Sequence, residues 1–316
     1  MVKPICVKLS HSEQHIAVIG TCRNKDSEFS DHVKSIVKSE ELKLVLIIFR
    51  HGDRSPLFPI YPFQPYSSLK YWPEGYGQLT NILDRDLESK PLLKFQSEHK
   101  DVEFGNVPRS SERLLKDLFE YLSKKIGKNV SMAITKELAS FIQCQISNGY
   151  PFPSYINESV FMQMKEVENK FIAVKSSLKL FQQIKSGLLF DHIKNIISTQ
   201  MTRGRSEKKV YFFSTHMSNL AAFLNVLKVY NGLKPPFGAT IFIEMFQEQS
   251  GSYFLKLVYL NVTESNQTFA LRLPACNYNS RCEIEQFFDS FKHLNPHDFA
   301  SVCSLKESSS LGISMF

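Results

Sequence analysis

Several features that indicate other classes of protein are missing from this 316-residue sequence. No apolar stretch approaches the roughly 18 residues needed to span a bilayer. No basic block is interleaved with aromatic residues, so nucleic-acid binding is not predicted despite a net charge of +7. The nine histidines show no short ligand spacing beside cysteines, which argues against a zinc site. The length suits one globular domain with an insertion, or two small domains.

The first twenty residues also lack the apolar core of a signal peptide, because Lys3, Lys8 and other polar residues are spread through them. Other features are typical of an exported protein. Six cysteines include Cys276 and Cys282, which are close enough to staple a loop. Four Asn-x-Ser/Thr sequons occur, at Asn129, Asn157, Asn261 and Asn266. We expect a secreted or lysosomal protein whose start is missing here; the alternative is a form that is not exported.

What the sequence does contain is a buried strand that ends in cationic residues. Leu44 to Phe49 form a continuous apolar run, typical of a strand covered on both faces in a parallel sheet. Arg50, His51 and Arg54 follow it directly. Two guanidiniums beside an imidazole suit a phosphoryl group, because planar donor forks hold its oxygens while a ring nitrogen attacks the phosphorus. The sequence therefore predicts a phosphoryl site at this strand end.

A second short strand is predicted at residues 208–213, and its C-terminal end leads to His216. A helix follows, with Gly232 as its expected stop. Two strands that end in histidines would converge their loops on one crevice of a doubly wound sheet. Later strands, at residues 241–246 and 253–260, are predicted to form a hairpin.

Residues 50–56, Arg-His-Gly-Asp-Arg-Ser-Pro, resemble the Arg-His-Gly-x-Arg-x-Pro signature of the histidine acid phosphatases, a branch of the histidine phosphatase superfamily. Residues 71–80 resemble the family's Trp-Pro-x-Gly-x-Gly-x-Leu-Thr segment, which packs near the catalytic centre, with Trp72 expected as a core anchor. The likeness covers about residues 42–80 and 120–303. The Asp-Arg-Ser-Pro continuation and residues 230–236 favour this branch over phosphoglycerate-mutase-like transfer.

The resemblance implies an α/β fold. We expect a three-layer α/β/α sandwich around a mostly parallel sheet, with a reduced helical cap inserted at about residues 81–155. Residues 41–316 would form this domain, and residues 1–40 would be a poorly packed N-terminal extension.

The resemblance also implies hydrolysis of phosphomonoesters without a metal or other cofactor. His51 would become phosphorylated, while Arg50, Arg54 and His216 would bind the phosphate. In the family an acid directly follows the second histidine and protonates the leaving group, but here that residue is Met217. Because methionine cannot donate a proton, we expect turnover of esters with poor leaving groups to fall by about 10² to 10⁴. Asp53 is an alternative acid, but it occupies a position of the signature at which the family tolerates many residues, so we do not favour it.

The family's third phosphate-binding arginine has one candidate, Arg109, and two registers are open for it. In one, residues 109–113 correspond to the arginine segment itself; in the other, which we favour, residues 106–109 resemble an Asn-Cys-Pro-Arg stretch of the cap. The second register implies that part of the core between Leu79 and Asn106 is absent, together with the third arginine.

Three hypotheses for the function follow. The first is an acid phosphatase that acts on a phosphomonoester substrate. The second is a catalytically impaired protein that binds a small ligand in the same pocket, since the sequence is similar to degenerate acid-phosphatase-like proteins of insect secretions, some of which bind amines or lipid mediators. The third is a truncated or alternatively spliced chain without a stable fold. The oligomeric state stays open, with a dimer as one option.

Overall fold

The computed structural model describes residues 40–57, 66–80, 109–203, 209–261 and 268–294, except for the side chains of 109–114 and 203. Contacts divide the chain into two compact units. The first unit consists of Met1–Arg50, Ser176–Tyr230 and Gly238–Phe316, and the second of His51–Lys175 and Asn231–Phe237.

The strands are β1 (Glu40–Arg50), β2 (Val210–Thr215), β3 (Thr240–Glu248), β4 (Tyr253–Leu260), β5 (Phe269–Ala270) and β6 (Cys282–Glu283). The helices are α1 (Arg109–Ile126), α2 (Met132–Ser147), α3 (Glu158–Ser177), α4 (Lys179–Gln182), α5 (Leu188–Arg203), α6 (Met217–Val226) and α7 (Ile284–Asp289). A π-helical turn, Gln183–Gly187, joins α4 to α5, and short 3-10 turns lie at Leu69–Tyr71, Pro274–Cys276 and Lys292–Leu294. Within these residues no helix is both long and apolar enough to cross a membrane.

The first unit is built on a sheet with the strand order β2-β1-β3-β4-β5, and β6 pairs with β4. The α/β class is confirmed, and so is the hairpin, which is β3 with β4. The prediction of a mostly parallel sheet was wrong. Among the described strands only β1 and β2 run parallel, and β3 is antiparallel to β1.

The direction of β3 follows from the connection that precedes it. After α6, residues 227–239 lead the chain to the end of the sheet at which β1 finishes. There the Ala239 carbonyl accepts a hydrogen bond of 2.9 Å from Arg50 N. Because β3 starts at the edge where β1 finishes, the two strands must run in opposite directions. The hairpin then adds β4 with a short turn.

The core explains why β1 is apolar without alternation. Leu44, Leu46 and Ile48 share a buried cluster with apolar residues of α5, α6 and α7. Val45 and Ile47 point to the other face and pack against residues of β3 and β4. A strand buried on both faces has no solvent side on which to place polar residues, as the sequence predicted.

The second unit contains α1, α2 and α3, which share one apolar cluster. Gly127 caps the C-terminus of α1, with φ +72° and a hydrogen bond from its backbone nitrogen to the Ser123 carbonyl. In the first unit the predicted stop of α6 at Gly232 was wrong. That helix ends at Val226, and Lys228 takes the left-handed conformation with φ +58°.

The predicted extension at residues 1–40 lies outside the described residues, apart from Glu40, which opens β1. The cap boundaries of about 81–155 stay a prediction. Residues 81–108 lie outside the described part of the chain, while α1 and α2 are helical within the expected range.

Candidate active site

In the first unit, Arg50 is the last residue of β1 and His216 directly follows β2, so both lie at the C-terminal ends of these parallel strands. Arg50 is paired with Thr215 in the parallel register of β1 and β2, and His216 directly follows Thr215. Arg50 is 4% exposed, so its guanidinium is largely removed from water. A buried guanidinium at a strand end is well placed to hold an anion, because electrostatic attraction is stronger where water is excluded.

His216 is the N-cap residue of α6, with φ −108° and ψ 161°. Its carbonyl accepts hydrogen bonds from the backbone nitrogens of Asn219 and Leu220, while its side chain is exposed and makes no capping hydrogen bond. The N-terminus of a helix carries partial positive charge that favours anions. Met217 is the first residue of α6, and the first turn has no acidic residue. The first turn of α6 therefore supplies no acidic side chain beside His216.

Tyr259 of β4 is a neighbour of Arg50 that no pattern in the sequence singled out. It is 7% exposed. Burial raises the pKa of the Tyr259 hydroxyl well above its ordinary value, and the charge of Arg50 opposes that rise. Tyr259 therefore stays neutral and presents a hydroxyl close enough to Arg50 to interact with it electrostatically.

In the second unit, the ring of His51 is oriented by its own backbone. Nδ1 lies 2.8 Å from the Gly52 carbonyl oxygen. A carbonyl oxygen can only accept, so Nδ1 carries the proton, and a neutral ring then has its lone pair on Nε2. The ring also contacts Phe237, with centroids 5.6 Å apart at an angle of 50°. The Gly52 carbonyl and the Phe237 ring thus both contact the imidazole of His51.

Arg54 lies at the end of the same loop and is partly buried. Its Nη1 donates a hydrogen bond to the Ser55 carbonyl at 2.9 Å. Arg54 also lines a shallow cleft with residues of its own loop and of α2; the other lining residues are Pro56, Leu57, Glu137, Ser140, Phe141 and Cys144. The cleft offers one cation, one carboxylate and a hydroxyl, a mixture suited to a polar ligand.

The loop that carries His51 and Arg54 is braced by residues 66–80. Ser55 is fully buried; its Oγ donates to the Gly75 carbonyl at 2.6 Å and accepts from Gln78 N at 3.0 Å. Gly77 N donates to the Pro56 carbonyl at 2.7 Å. These hydrogen bonds fix the backbone beside the arginine.

Trp72 holds the bracing segment in place. It is 1% exposed, and its Nε1 donates to the Tyr66 carbonyl at 2.7 Å. Its ring meets that of Tyr150 edge-on, with centroids 5.5 Å apart. The expectation that Trp72 is a core anchor is confirmed.

Each predicted site residue thus has a described position: Arg50 and His216 in the first unit, His51 and Arg54 in the second. Their roles stay predictions, as does that of Asp53. Arg109 opens α1, but its side chain lies outside the described residues. The predicted disulfide between Cys276 and Cys282 is confirmed. In the described part of the chain no group of three or more histidine, cysteine, aspartate or glutamate side chains could hold a metal ion.

The sequence of this chain is similar to those of known acid phosphatases. The family described as histidine phosphatase superfamily (branch 2) matches residues 115–260. The chain is 25% identical to the prostatic acid phosphatase of Homo sapiens, over 84% of this chain and 89% of the relative. It is 21% identical to the lysosomal acid phosphatase of Bos taurus, over 85% of this chain and 81% of the relative. The chain is therefore similar in sequence to histidine acid phosphatases over most of its length.

Solved structures agree with this fold. The phytase of Hafnia alvei in complex with tartrate superimposes with a TM-score of 0.54 at 12% identity, covering 81% of this chain and 97% of that chain. The phytase of D. castellii gives a TM-score of 0.51 at 13% identity, covering 86% and 83% respectively. At such low identities these likenesses concern the fold alone.

Proposed function

We propose that this protein hydrolyses phosphomonoesters through a phosphohistidine formed on His51. Arg50, Arg54 and His216 bind the phosphate oxygens and stabilise the charge of the transition state. The observation that supports the proposal most directly is the hydrogen bond between His51 Nδ1 and the Gly52 carbonyl, because it places the proton of a neutral ring on Nδ1 and the lone pair on Nε2. Similarity to relatives named acid phosphatases adds to this support.

The reaction has two steps. In the first, the Nε2 lone pair forms a bond to phosphorus while the ester P–O bond breaks, and the alkoxide takes up a proton to leave as an alcohol. In the second, the oxygen of a water molecule bonds to phosphorus and gives up a proton to solvent, the N–P bond breaks with its electron pair returning to Nε2, and inorganic phosphate is released. Buried and partly buried guanidiniums favour both steps, since each transition state concentrates negative charge on the phosphoryl oxygens.

Protonation of the leaving group is the step that this site supports least. The first turn of α6 begins with Met217 and has no acidic side chain. Esters of acidic phenols leave without help, whereas alkyl esters need a proton. We therefore propose an enzyme with reduced activity, in which the loss is greatest for alkyl phosphates and amounts to about 10² to 10⁴ in rate.

The location we propose is extracytoplasmic. Asn129 and Asn157, two of the sequon asparagines, are exposed, and the Cys276–Cys282 disulfide suits an oxidising compartment. Asn157 also accepts a hydrogen bond from Val160 N through Oδ1, which leaves its amide nitrogen available for a glycan.

The test is release of phosphate from nitrophenyl phosphate at acidic pH by the wild type and by His51→Ala. We expect measurable release that His51→Ala abolishes. His192→Ala is the matched control, because His192 is an exposed histidine of α5 that belongs to no predicted site. Release by the wild type no greater than that by His51→Ala would refute the proposal.

The presence of Met217 also supports a second candidate function. A protein that kept the phosphate-binding arginines but had Met217 in place of an acid could bind a small ligand without turning it over. Calorimetry with inorganic phosphate, biogenic amines and lipid mediators separates the two functions. Heat of binding by amines or lipids, with no His51-dependent phosphate release, would favour the binding protein.

A further inference from the structure

The loop Asn231–Phe237 belongs to the second unit and is anchored there by a buried cation. The Lys234 side chain is 7% exposed, and its Nζ lies 2.5 Å from Oε1 of Glu168. The same ammonium group lies 3.3 Å from Oγ of Ser140 in α2. The Lys234 backbone nitrogen donates to Oδ1 of Asn169 at 2.9 Å. Side chain and backbone of Lys234 are thus both attached to the helices of this unit.

Glu168, on α3, is shared between two lysines. Its side chain is 2% exposed, and its second oxygen, Oε2, lies 2.6 Å from Nζ of Lys165. Burial by itself would raise the pKa of Glu168, but the charges and hydrogen bonds of Lys165 and Lys234 outweigh it and lower the pKa to about 2. The carboxylate therefore remains charged in acidic solution. Because a buried charge without its partner is strongly unfavourable, Lys234 is held firmly in place.

Two prolines carry this anchorage from Lys234 to Phe237. Pro235 and Pro236 each have φ fixed near −65°, and a residue that precedes a proline is itself restricted in its backbone conformation. The segment between Lys234 and Phe237 therefore has few soft dihedral angles. A displacement at the lysine is transmitted along it rather than absorbed.

Phe237 contacts the ring of His51, with centroids 5.6 Å apart. The backbone hydrogen bond from Nδ1 to Gly52 fixes one edge of that ring, and Phe237 restricts its rotation about the remaining side-chain torsion. A ring with these two contacts keeps Nε2 in one direction, which a nucleophile needs for in-line attack.

We propose that Lys234 and Glu168 are positioning residues for His51, and that the rigid Lys-Pro-Pro-Phe segment connects their buried ion pair to the ring of the nucleophile. This assignment rests on the proposed function, in which His51 attacks phosphorus. Neither residue touches the substrate. Their effect is on the orientation of Nε2, and so on the rate of the chemical step more than on phosphate binding.

The variants that test this are Lys234→Met and Glu168→Gln, with Lys165→Met as the matched control. Lys165 contacts the same carboxylate but comes from α3 itself, so its loss leaves the loop attached. With nitrophenyl phosphate we expect Lys234→Met and Glu168→Gln each to lower kcat by about 10- to 100-fold, with KM changed less than threefold. The double variant with both Lys234→Met and Glu168→Gln should be no slower than the slower single variant, because both substitutions break the same contact between Lys234 and Glu168. Lys165→Met should keep kcat within about threefold.

A second readout does not depend on activity. In protein carrying labelled histidine, the ring protons of His51 should show a ring-current shift from Phe237, identified by its loss in Phe237→Leu. Lys234→Met and Glu168→Gln should move that signal towards its position in Phe237→Leu, whereas Lys165→Met should leave it in place. If Lys234→Met fails to fold, Pro235→Ala combined with Pro236→Ala loosens the same connection and leaves the ion pair intact.

The outcomes separate the two proposals. Folded Lys234→Met, or the folded double-proline variant, with unchanged kcat and an unchanged His51 signal would overturn the positioning role. A wild type without His51-dependent turnover would refute the proposed function, and the His51 signal alone would then decide whether the ion pair positions the ring.

Discussion

The carbonyl oxygen of Gly52 lies 2.8 Å from Nδ1 of the neighbouring His51, and this hydrogen bond places the lone pair of a neutral ring on Nε2. In the proposed reaction the phosphoryl group would therefore be accepted at Nε2. We predict that the protein quenched in alkali during turnover carries phosphate on Nε2 of His51. Peptide mapping with ³¹P spectroscopy distinguishes the two isomers of phosphohistidine.

His51→Gln is the control for that experiment, because glutamine fills similar space without a nucleophilic nitrogen. The trapped phosphate should be absent from this variant. Phosphate found on Nδ1 would mean that the Gly52 carbonyl does not set the reactive nitrogen. Phosphate found on another residue would mean that His51 is not the nucleophile.

The second prediction concerns the brace behind Arg54. Ser55 is fully buried, and its hydroxyl bonds the Gly75 carbonyl and Gln78 N. In Ser55→Ala both groups lose that partner, so we expect the free energy of unfolding to fall by about 1–3 kcal/mol. Because the loop that carries Arg54 loses its support, KM for nitrophenyl phosphate should rise. Urea unfolding and steady-state kinetics measure the two effects.

Ser68→Ala is the matched control for Ser55→Ala. Ser68 is exposed, and its Oγ makes one long hydrogen bond of 3.4 Å to Lys70 N. The free energy of unfolding should change by less than about 0.5 kcal/mol, as for most exposed substitutions, and KM should not change. Equal effects of the two serine variants would show that the buried hydroxyl is not a brace.

The parts of this site that the sequence predicted are those encoded in short continuous stretches. The run from Leu44 to Phe49 is apolar because β1 is buried on both faces, and a strand of that kind can be recognised without its partners. The buried role of Trp72 was predicted from residues 71–80, a second continuous stretch, in which Gln78 bonds to Ser55 of the signature loop 23 positions away.

The parts that were missed depend on contacts between distant residues. The direction of β3 is set by where residues 227–239 return to the sheet, which no local pattern encodes. Lys234 and Glu168 are 66 positions apart, and each is an ordinary charged residue until the fold buries the pair. Tyr259 likewise becomes a neighbour of Arg50 only through the pairing of β1, β3 and β4.

A third prediction tests the missing acid. In Met217→Asp a carboxyl group stands where the family has one, and hydrolysis of an alkyl phosphate should increase by about 10² to 10⁴. Nitrophenyl phosphate should gain much less, because its leaving group is already stable as an anion. The change should not destabilise the protein, since an acidic residue in the first turn of α6 interacts favourably with the helix dipole.

Met217→Asn separates proton donation from shape. Asparagine is close in size to aspartate but has no proton to give, so neither ester should gain. If Met217→Asp raised both esters equally, or if Met217→Asn matched it, the defect would not lie in protonation of the leaving group.

The fourth prediction is a pH dependence of stability from Glu244 of β3. Its side chain is cross-strand neighbour to Val45 and Lys256 in the sheet of the first unit. It is 3% exposed, and burial raises its pKa to about 7, although the charge of Lys256 opposes the rise. In the unfolded chain the carboxyl ionises near 4.5. Between pH 4.5 and about pH 7, the Glu244 carboxyl is therefore protonated in the folded state and ionised in the unfolded state.

The sign follows from that difference in bound protons. Stability from the protonated carboxyl is fully present below about pH 4.5 and is lost as the pH rises through about 7, so the wild type should be less stable at pH 8 than at pH 5. The loss from this group is about 3 kcal/mol at most. Glu244→Gln cannot ionise and should lack this component, whereas Glu285→Gln, an exposed position on α7, should keep it. Urea unfolding at both pH values measures it, and an equal pH dependence in wild type and Glu244→Gln would show that Glu244 is already ionised in the folded sheet at pH 5.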